Sequence, residues 1–212
     1  SGDKESRRIL DFCMKLQSAL RKGSVARNVP RTEQDAEIAR DLHLLTGKKV
    51  LYIANVSEAV LKGKRPYIGQ VEEYARKEGA RAVAICGDME MEIAKLDKEE
   101  RKEFLADLGL EESGLQKLIR AGYELLDLIT FYTTVGPELR AWTVKKGTKA
   151  PEAAGRIHTD MERGFIRAEV VHYDDFIRAG TLSAVREKGL LHFEGRDYVI
   201  QDGDIIYFRF NV

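Results

Sequence analysis

Lys49-Val50-Leu51-Tyr52-Ile53-Ala54-Asn55-Val56-Ser57-Glu58 is the stretch on which the reading of this chain turns. Its first six residues form an apolar run of strand type. A second such run, Arg81 to Cys86, follows a helical pattern from Pro66 to Glu78 that points Ile68, Val71 and Ala75 inward. Two apolar strands joined by a helix predict a parallel pair, covered on both faces and linked by a right-handed crossover. In open α/β sheets ligands bind beyond the carboxyl ends of the strands. Asn55 and Glu58 leave the first strand at that end, and an amide and a carboxylate three residues apart suit the edge of a purine base, with the Val56 backbone as a further contact. Cys86-Gly87-Asp88 leaves the second strand beside them, where Gly87 lets the backbone approach a base closely. The same residues also fit plainer roles: an Asx-type turn after the first strand, and a strand-to-helix turn with Asp88 as N-cap after the second. The 212 residues contain no Gly-x4-Gly-Lys-Ser/Thr loop for phosphates and no Asp-x-x-Gly for magnesium and a γ-phosphate. A base edge without a phosphate cradle predicts that part of the active site lies outside this chain.

Upstream, Ile9, Leu10, Phe12, Cys13, Leu16 and Leu20 set a helical stripe over Asp3 to Lys22 that Gly23 stops. The stripe is one-sided, so this helix needs a partner helix. After a polar link through Pro30, Thr32 and Asp35 form a capping-box pattern, and a second helix is expected to run through Ile38, Leu42 and Leu45 to Gly47 as its C-cap. Downstream, Leu105, Leu108 and Leu110, then Leu115, Leu118, Ile119 and Leu125, predict two amphipathic segments separated by Gly109 and Ser113. From Leu128 the period changes to two. Leu128–Thr133 and Arg140–Val144 read as a hairpin around Val135-Gly136-Pro137, Ala150–Ile157 as a helix, Phe165–Val171 as a strand, Leu182–Lys188 as a helix and Asp204–Phe210 as an alternating strand. Strands around a helix in so short a span predict an α+β module with a mixed sheet, and place a domain boundary near Asp127.

The 35 basic and 35 acidic residues cancel, so net charge gives no argument for nucleic acid. Their distribution does more: residues 1–31 hold eight Lys/Arg against three Asp/Glu. That basic arm is either an anion-binding face, with Arg7, Arg8, Arg21 and Lys22 as candidate RNA contacts, or a solvated helix surface. Cys13 and Cys86 have no Cys-x-x-Cys spacing, which fits a reducing cytoplasm. No apolar stretch approaches the roughly 20 residues of a membrane span. No signal peptide is visible, and the opening Ser-Gly-Asp-Lys-Glu reads as a truncation or a proteolytic start. His158-Thr159-Asp160 has no Ser or Cys nucleophile in an elbow, and the four His show no metal-ligand spacing, so His158 reads as a helix-end residue. No catalytic residue and no metal ligand is assigned in this chain.

Several longer stretches carry a resemblance. Gly-Leu-Glu-Glu-Ser-Gly-Leu (109–115), Leu-Ile-Thr-Phe (128–131), Arg-Ala-Trp-Thr-Val (140–144) and Gly-Thr-Lys-Ala-Pro-Glu-Ala-Ala-Gly (147–155) resemble the YchF-type, Obg-like ATPases. So do Ile-His-Thr-Asp (157–160), Arg-Gly-Phe-Ile-Arg-Ala-Glu-Val (163–170), Asp-Tyr-Val-Ile-Gln-Asp-Gly-Asp (197–204) and the final Phe-Arg-Phe-Asn-Val. The resemblance implies an α/β plus α+β chain. Residues 1–47 would be the returning part of a helical coiled-coil arm, 48–127 the last part of a P-loop G domain, and 128–212 a TGS domain of β-grasp, ubiquitin-like fold. Asn55-Val56-Ser57-Glu58 then matches the family's Asn-x-x-Glu, which replaces the Asn-Lys-x-Asp of ordinary GTPases and is associated with ATP over GTP. Asn55, Val56, Glu58, Cys86 and Gly87 become the base contacts, although Gly87-Asp88 stands where many members carry Ala-Lys or a similar pair. The intact protein would use Mg2+ with ATP or GTP and associate with ribosomal particles, while this chain alone, lacking the phosphate loop, would hold no cofactor and hydrolyse nothing. Two other readings stand beside it: a binding module in which arm and TGS domain dock RNA or protein without nucleotide, and a stable core with no activity of its own.

Overall fold

A computed structural model describes residues 2–62, 66–135 and 138–211 and divides the chain into two compact units, Ser1–Leu125 and Leu126–Val212. The expected turn at Gly136-Pro137 lies outside the described residues.

The first unit opens with helix α1 (Gly2–Arg21), whose Phe12 and Leu16 are buried against Ala26 and Val29 with Ile38, Ala39 and Leu44 packed around them. Helix α2 (Glu33–Asp41) starts on the predicted capping box: the Asp35 amide donates to Thr32 Oγ1 at 3.2 Å, and the Thr32 amide to Asp35 Oδ2 at 3.1 Å. Its end differs from expectation. The helix stops at Asp41, His43 takes the left-handed turn at φ 47°, and Gly47 closes a 3-10 turn rather than capping α2. Leu44 can then reach the Phe12 cluster, which a continuing helix would carry it past.

Strands β1 (Leu51–Asn55) and β2 (Arg81–Ile85) pair in parallel, with Leu51 opposite Arg81 and Asn55 opposite Ile85. The connection is two helices, α3 (Glu58–Lys62) and α4 (Pro66–Lys77), and α4 buries Ile68 and Ala75. The expected cover on both faces is incomplete, because Ile53 is 48% exposed in mid-strand. A two-stranded sheet is too narrow for its helices to close both faces. Helices α5 (Gly87–Lys95) and α6 (Lys98–Asp107) bury Met89, Ile93 and Leu105 with Cys86, and Asp97 caps α6 reciprocally with Glu100. Helix α7 (Gly114–Leu125) begins on a Ser113–Gln116 capping pair.

The second unit is a five-stranded mixed sheet in the order β4-β3-β7-β5-β6. Strands β3 (Leu128–Val135) and β4 (Glu138–Lys145) form the hairpin, and β7 (Ile205–Phe210) lies parallel to β3 at the centre. Strand β5 (Phe165–Val171) runs antiparallel to β7, and β6 (His192–Glu194) forms the edge. This is the β-grasp order, with helix α8 (Ala150–Ile157) held against one face. Ala150, Ala153 and Ala154 are fully buried, and these small side chains let α8 lie close to Phe131, Val170, Ile206 and Phe208. Helices α10 (Tyr173–Ala179) and α11 (Leu182–Glu187) cover one end of the opposite face through Val171, Val185 and Ile205. Short helix α9 (Thr159–Arg163), α10 and β6 were not anticipated.

Gly164, between α9 and β5, is held where its carbonyl accepts the Asn211 amide at 2.9 Å, and a Cβ there would overlap the Asn211 backbone carbonyl. Gly164→Ala is therefore expected to push the end of β7 off β5 and to cost about 1–3 kcal/mol, read as a lower urea midpoint.

Candidate functional site

The exits of β1 and β2 are tied together by one side chain. Asn55 Oδ1 accepts the Gly87 amide at 3.1 Å, so the first strand's exit is fastened to the first turn of α5. The Val56 amide is likewise committed, donating to the Ile85 carbonyl at 2.9 Å. What Asn55 retains for a ligand is its exposed Nδ2 donor pair and the second lone pair of Oδ1, while Val56 retains its carbonyl. Glu58 opens α3 on the exposed side of the same turn. At Gly87 the nearest neighbour of a Cβ would be the Asn55 side chain, at ordinary contact distance. Cys86 departs from the expected role, since its side chain is 2% exposed in the Met89–Ile93–Leu105 cluster and its carbonyl accepts the Glu90 amide. Asp88 lies inside α5 and is not its N-cap.

Two carboxylates that sequence reasoning missed hold this edge in place. Glu90 on α5 accepts the Gly114 and Leu115 amides at 2.7 and 3.1 Å, and so fills the N-terminus of α7 with negative charge. Glu78, just after α4, accepts the hydroxyls of Tyr52 (2.5 Å) and Tyr74 (3.0 Å) and the Arg27 guanidinium (2.7 Å), while Arg27 also donates to the Thr46 carbonyl. Tyr52 lies on β1, so this cluster links the strand that carries Asn55 to the segment after α1. The Tyr52 and Tyr74 hydroxyls, followed by Arg27, hold the Glu78 carboxyl below the ordinary range, and the bond to Glu78 pushes both phenols up. The depressed Glu78 contributes stability above the usual glutamate pKa and loses it as pH falls. The raised phenols contribute below the usual tyrosine pKa and lose it as pH rises. Glu78→Gln is expected to flatten the acid limb of stability against pH, checked by denaturant midpoints between about pH 3 and 7.

The four basic candidates, Arg7, Arg8 and Arg21 on α1 and Lys22 just beyond it, do not form one patch. Arg7 reaches Asp3 at 4.0 Å, and Arg8 is half-buried, donating to Gln34 Oε1 at 2.6 Å. Arg21 and Lys22 are exposed about 20 Å further along the helix axis. His158 caps α9, its Nδ1 accepting the Asp160 amide at 3.2 Å. Among the described residues no group of three or more His, Cys, Asp or Glu could hold a metal ion. No described helix is long and apolar enough to cross a membrane.

The YchF-GTPase_C family, described as a protein of unknown function (DUF933), matches residues 128–211. The chain is 46% identical over 212 residues to the ribosome-binding ATPase YchF of Bacillus subtilis (strain 168), covering 99% of this chain and 58% of that protein. It is 39% identical over 215 residues to Obg-like ATPase 1 of Rattus norvegicus, covering 54% of its length. Among solved structures, the YchF GTPase of Schizosaccharomyces pombe superposes with a TM-score of 0.83 at 32% identity, over 98% of this chain and 55% of that one. The chain thus spans little more than half the length of the relatives it matches.

Proposed function

We propose, from the premise that the chain belongs to the YchF-type, Obg-like ATPases, that it is the C-terminal portion of a ribosome-associated nucleotide-binding ATPase. Within it, residues 1–47 serve as part of a helical arm, 48–127 as the base-binding part of a G domain, and 128–212 as a TGS domain. The observation that carries the nucleotide reading is the Asn55–Gly87 bond across the carboxyl ends of two parallel strands. It holds the Asn55 amide rigid, with its two N–H donors open toward a base. The purine meets those donors, the Val56 carbonyl and the Glu58 carboxylate, which accepts from an amino group of the base. In this reading ATP is preferred over GTP, the protein is cytoplasmic, and the Mg2+ and phosphate contacts are made by residues other than these.

Titrating adenosine into 15N-labelled chain tests the base edge directly. The Asn55 side-chain amide and Gly87 resonances should shift with a millimolar Kd, equivalent to about −4 kcal/mol. Shifts confined to other residues would overturn the assignment. A second reading, a nucleotide-independent RNA- or ribosome-binding module, is favoured by the basic residues of α1 and predicts binding that weakens steeply with salt.

A further inference from the structure

The two edges of the five-stranded sheet are built differently. Strand β6 ends one of them with three residues, too few to template a further strand. Strand β4 ends the other with eight residues, has no proline, and keeps an unbroken register with β3 from Glu138 to Lys145. Among the described residues no strand pairs with its outer side. The ladder fixes where its main-chain groups point. The Lys146 amide donates to the Asp127 carbonyl, and in an antiparallel pair the bonded partners recur at every second residue. Val144, Trp142 and Arg140 therefore bond β3, while Leu139 and Ala141 turn N–H and C=O outward, and both residues are exposed. Beside this edge, on the α8 side, lies a hollow of about 320 Å3. It is lined by Arg140 and Trp142 from β4, Ile157 and Met161 from α8 and α9, and Phe208 and Phe210 from β7. Trp142 Nε1 donates to the buried Thr133 Oγ1 at 2.9 Å, which fixes the indole and leaves that side of the hollow preformed.

We propose that the β4 edge and this hollow bind an extended apolar segment of a partner protein, flanked by acidic residues, as an added strand. Outward N–H and C=O groups in alternation complement another main chain, and a hollow on one face of the edge accepts alternate side chains of the strand that joins it. Residues opposite Arg140 and Trp142 would project to the α8 side, over Phe210 and Met161. The charge around the edge selects the flanks. Arg140 is neutralised by Glu138 at 2.6 Å, whereas further along β4 Lys145 and Arg156 face only the Glu152 carboxylate in a second hollow. The surplus is positive, so acidic residues beside the apolar run are favoured. A second copy of this chain is a poorer occupant, because its β4 would bring one acidic side chain against two basic ones. The inference goes beyond the ribosome reading and requires no nucleotide.

The test uses the full chain and a fluorescein-labelled peptide of about ten residues, with valine and isoleucine at its centre and aspartate and glutamate at both ends. Anisotropy should show saturable binding at micromolar concentrations. In 15N-labelled chain, hydrogen exchange of the Leu139 and Ala141 amides should slow by about tenfold or more when the peptide is bound. Ala141→Pro removes an outward N–H at a position an edge strand tolerates, so it should abolish binding and leave the melting temperature close to that of the parent. A proline at the centre of the peptide should also abolish binding, with no change to the protein. Phe210→Ala should weaken the complex by about five- to thirtyfold. Lysine in place of the peptide's acidic residues should weaken it by about tenfold or more. No binding, binding that leaves both amides unprotected, or binding that survives Ala141→Pro overturns the proposal. So does protection of both amides without peptide in a chain that sediments as a dimer, which would give the edge to a second copy.

Discussion

Magnesium-ATP incubated with the purified 212-residue chain is expected to release no phosphate above a protein-free control. Phosphoryl transfer is almost wholly positioning and electrostatic stabilisation of the γ-phosphoryl group, supplied by a phosphate loop, its lysine and magnesium. None of the corresponding motifs occurs in the sequence, and no cluster of acidic side chains among the described residues replaces the metal ligands. In the proposed reading Asn55, Val56 and Glu58 meet the base, several bonds from the reacting phosphorus. One transition-state arginine alone is worth about 10³–10⁵ in rate, so the loss of the whole phosphate machinery leaves nothing a malachite-green assay detects. Magnesium-dependent turnover that survives repurification would place a phosphate site in this chain and contradict the account.

Asp204→Ala is expected to unfold the second unit near physiological temperature. Asp204 is 1% exposed and its carboxylate accepts the Tyr198 hydroxyl (2.8 Å) and the Gln201 amide (2.9 Å), and lies 2.9 Å from His172 Nδ1. It ties the loop before β7 to the end of β5. Alanine leaves a buried hydroxyl and a backbone N–H without acceptors, which costs about 3–5 kcal/mol for a broken buried network. A unit of this size has only about 4–13 kcal/mol in total. The melting temperature should fall by about 15–30 °C. Trp142 is the only tryptophan and lies on β4 of this unit, so its fluorescence follows the transition. Asp204→Asn, which keeps an acceptor, should lose less. Burial, followed by the bond to Asp204, pushes the Tyr198 phenol up, so this unit should also lose stability as pH rises past the ordinary tyrosine range.

Much of this architecture can be read from short-range pattern. Pro151 near the start of α8, the small residues that follow it and the mostly β-prone run from Phe165 to Val171 place both elements at their observed limits. The Thr32–Asp35 box is equally local. The C-terminus of α2 is not, because the left-handed position falls on His43, a residue without glycine's freedom, and is decided by where Leu44 must pack. Helix α9 and strand β6 have five and three residues, too few to show a period.

The candidate site divides the same way. The polar strand exit at Asn55 is visible, but its bond to Gly87 spans 32 residues, and Glu78 meets Arg27 across 51. Local spacing carries no trace of either contact. Cys86 reads as a neighbour of the base from its position in sequence, whereas the clustering of Met89, Ile93 and Leu105 turns its side chain inward. The Tyr207 ring alternates like any core aromatic, and its exposure follows only from how little of the sheet α11 covers.

Pelleting the chain through a sucrose cushion with purified ribosomes, at salt from about 50 to 200 mM, tests the central claim most directly. The account predicts a stable complex at low salt without added nucleotide, lost steeply toward the upper end and unaffected by Asn55→Ala. No pelleting at the lowest salt, or binding indifferent to salt, would contradict it.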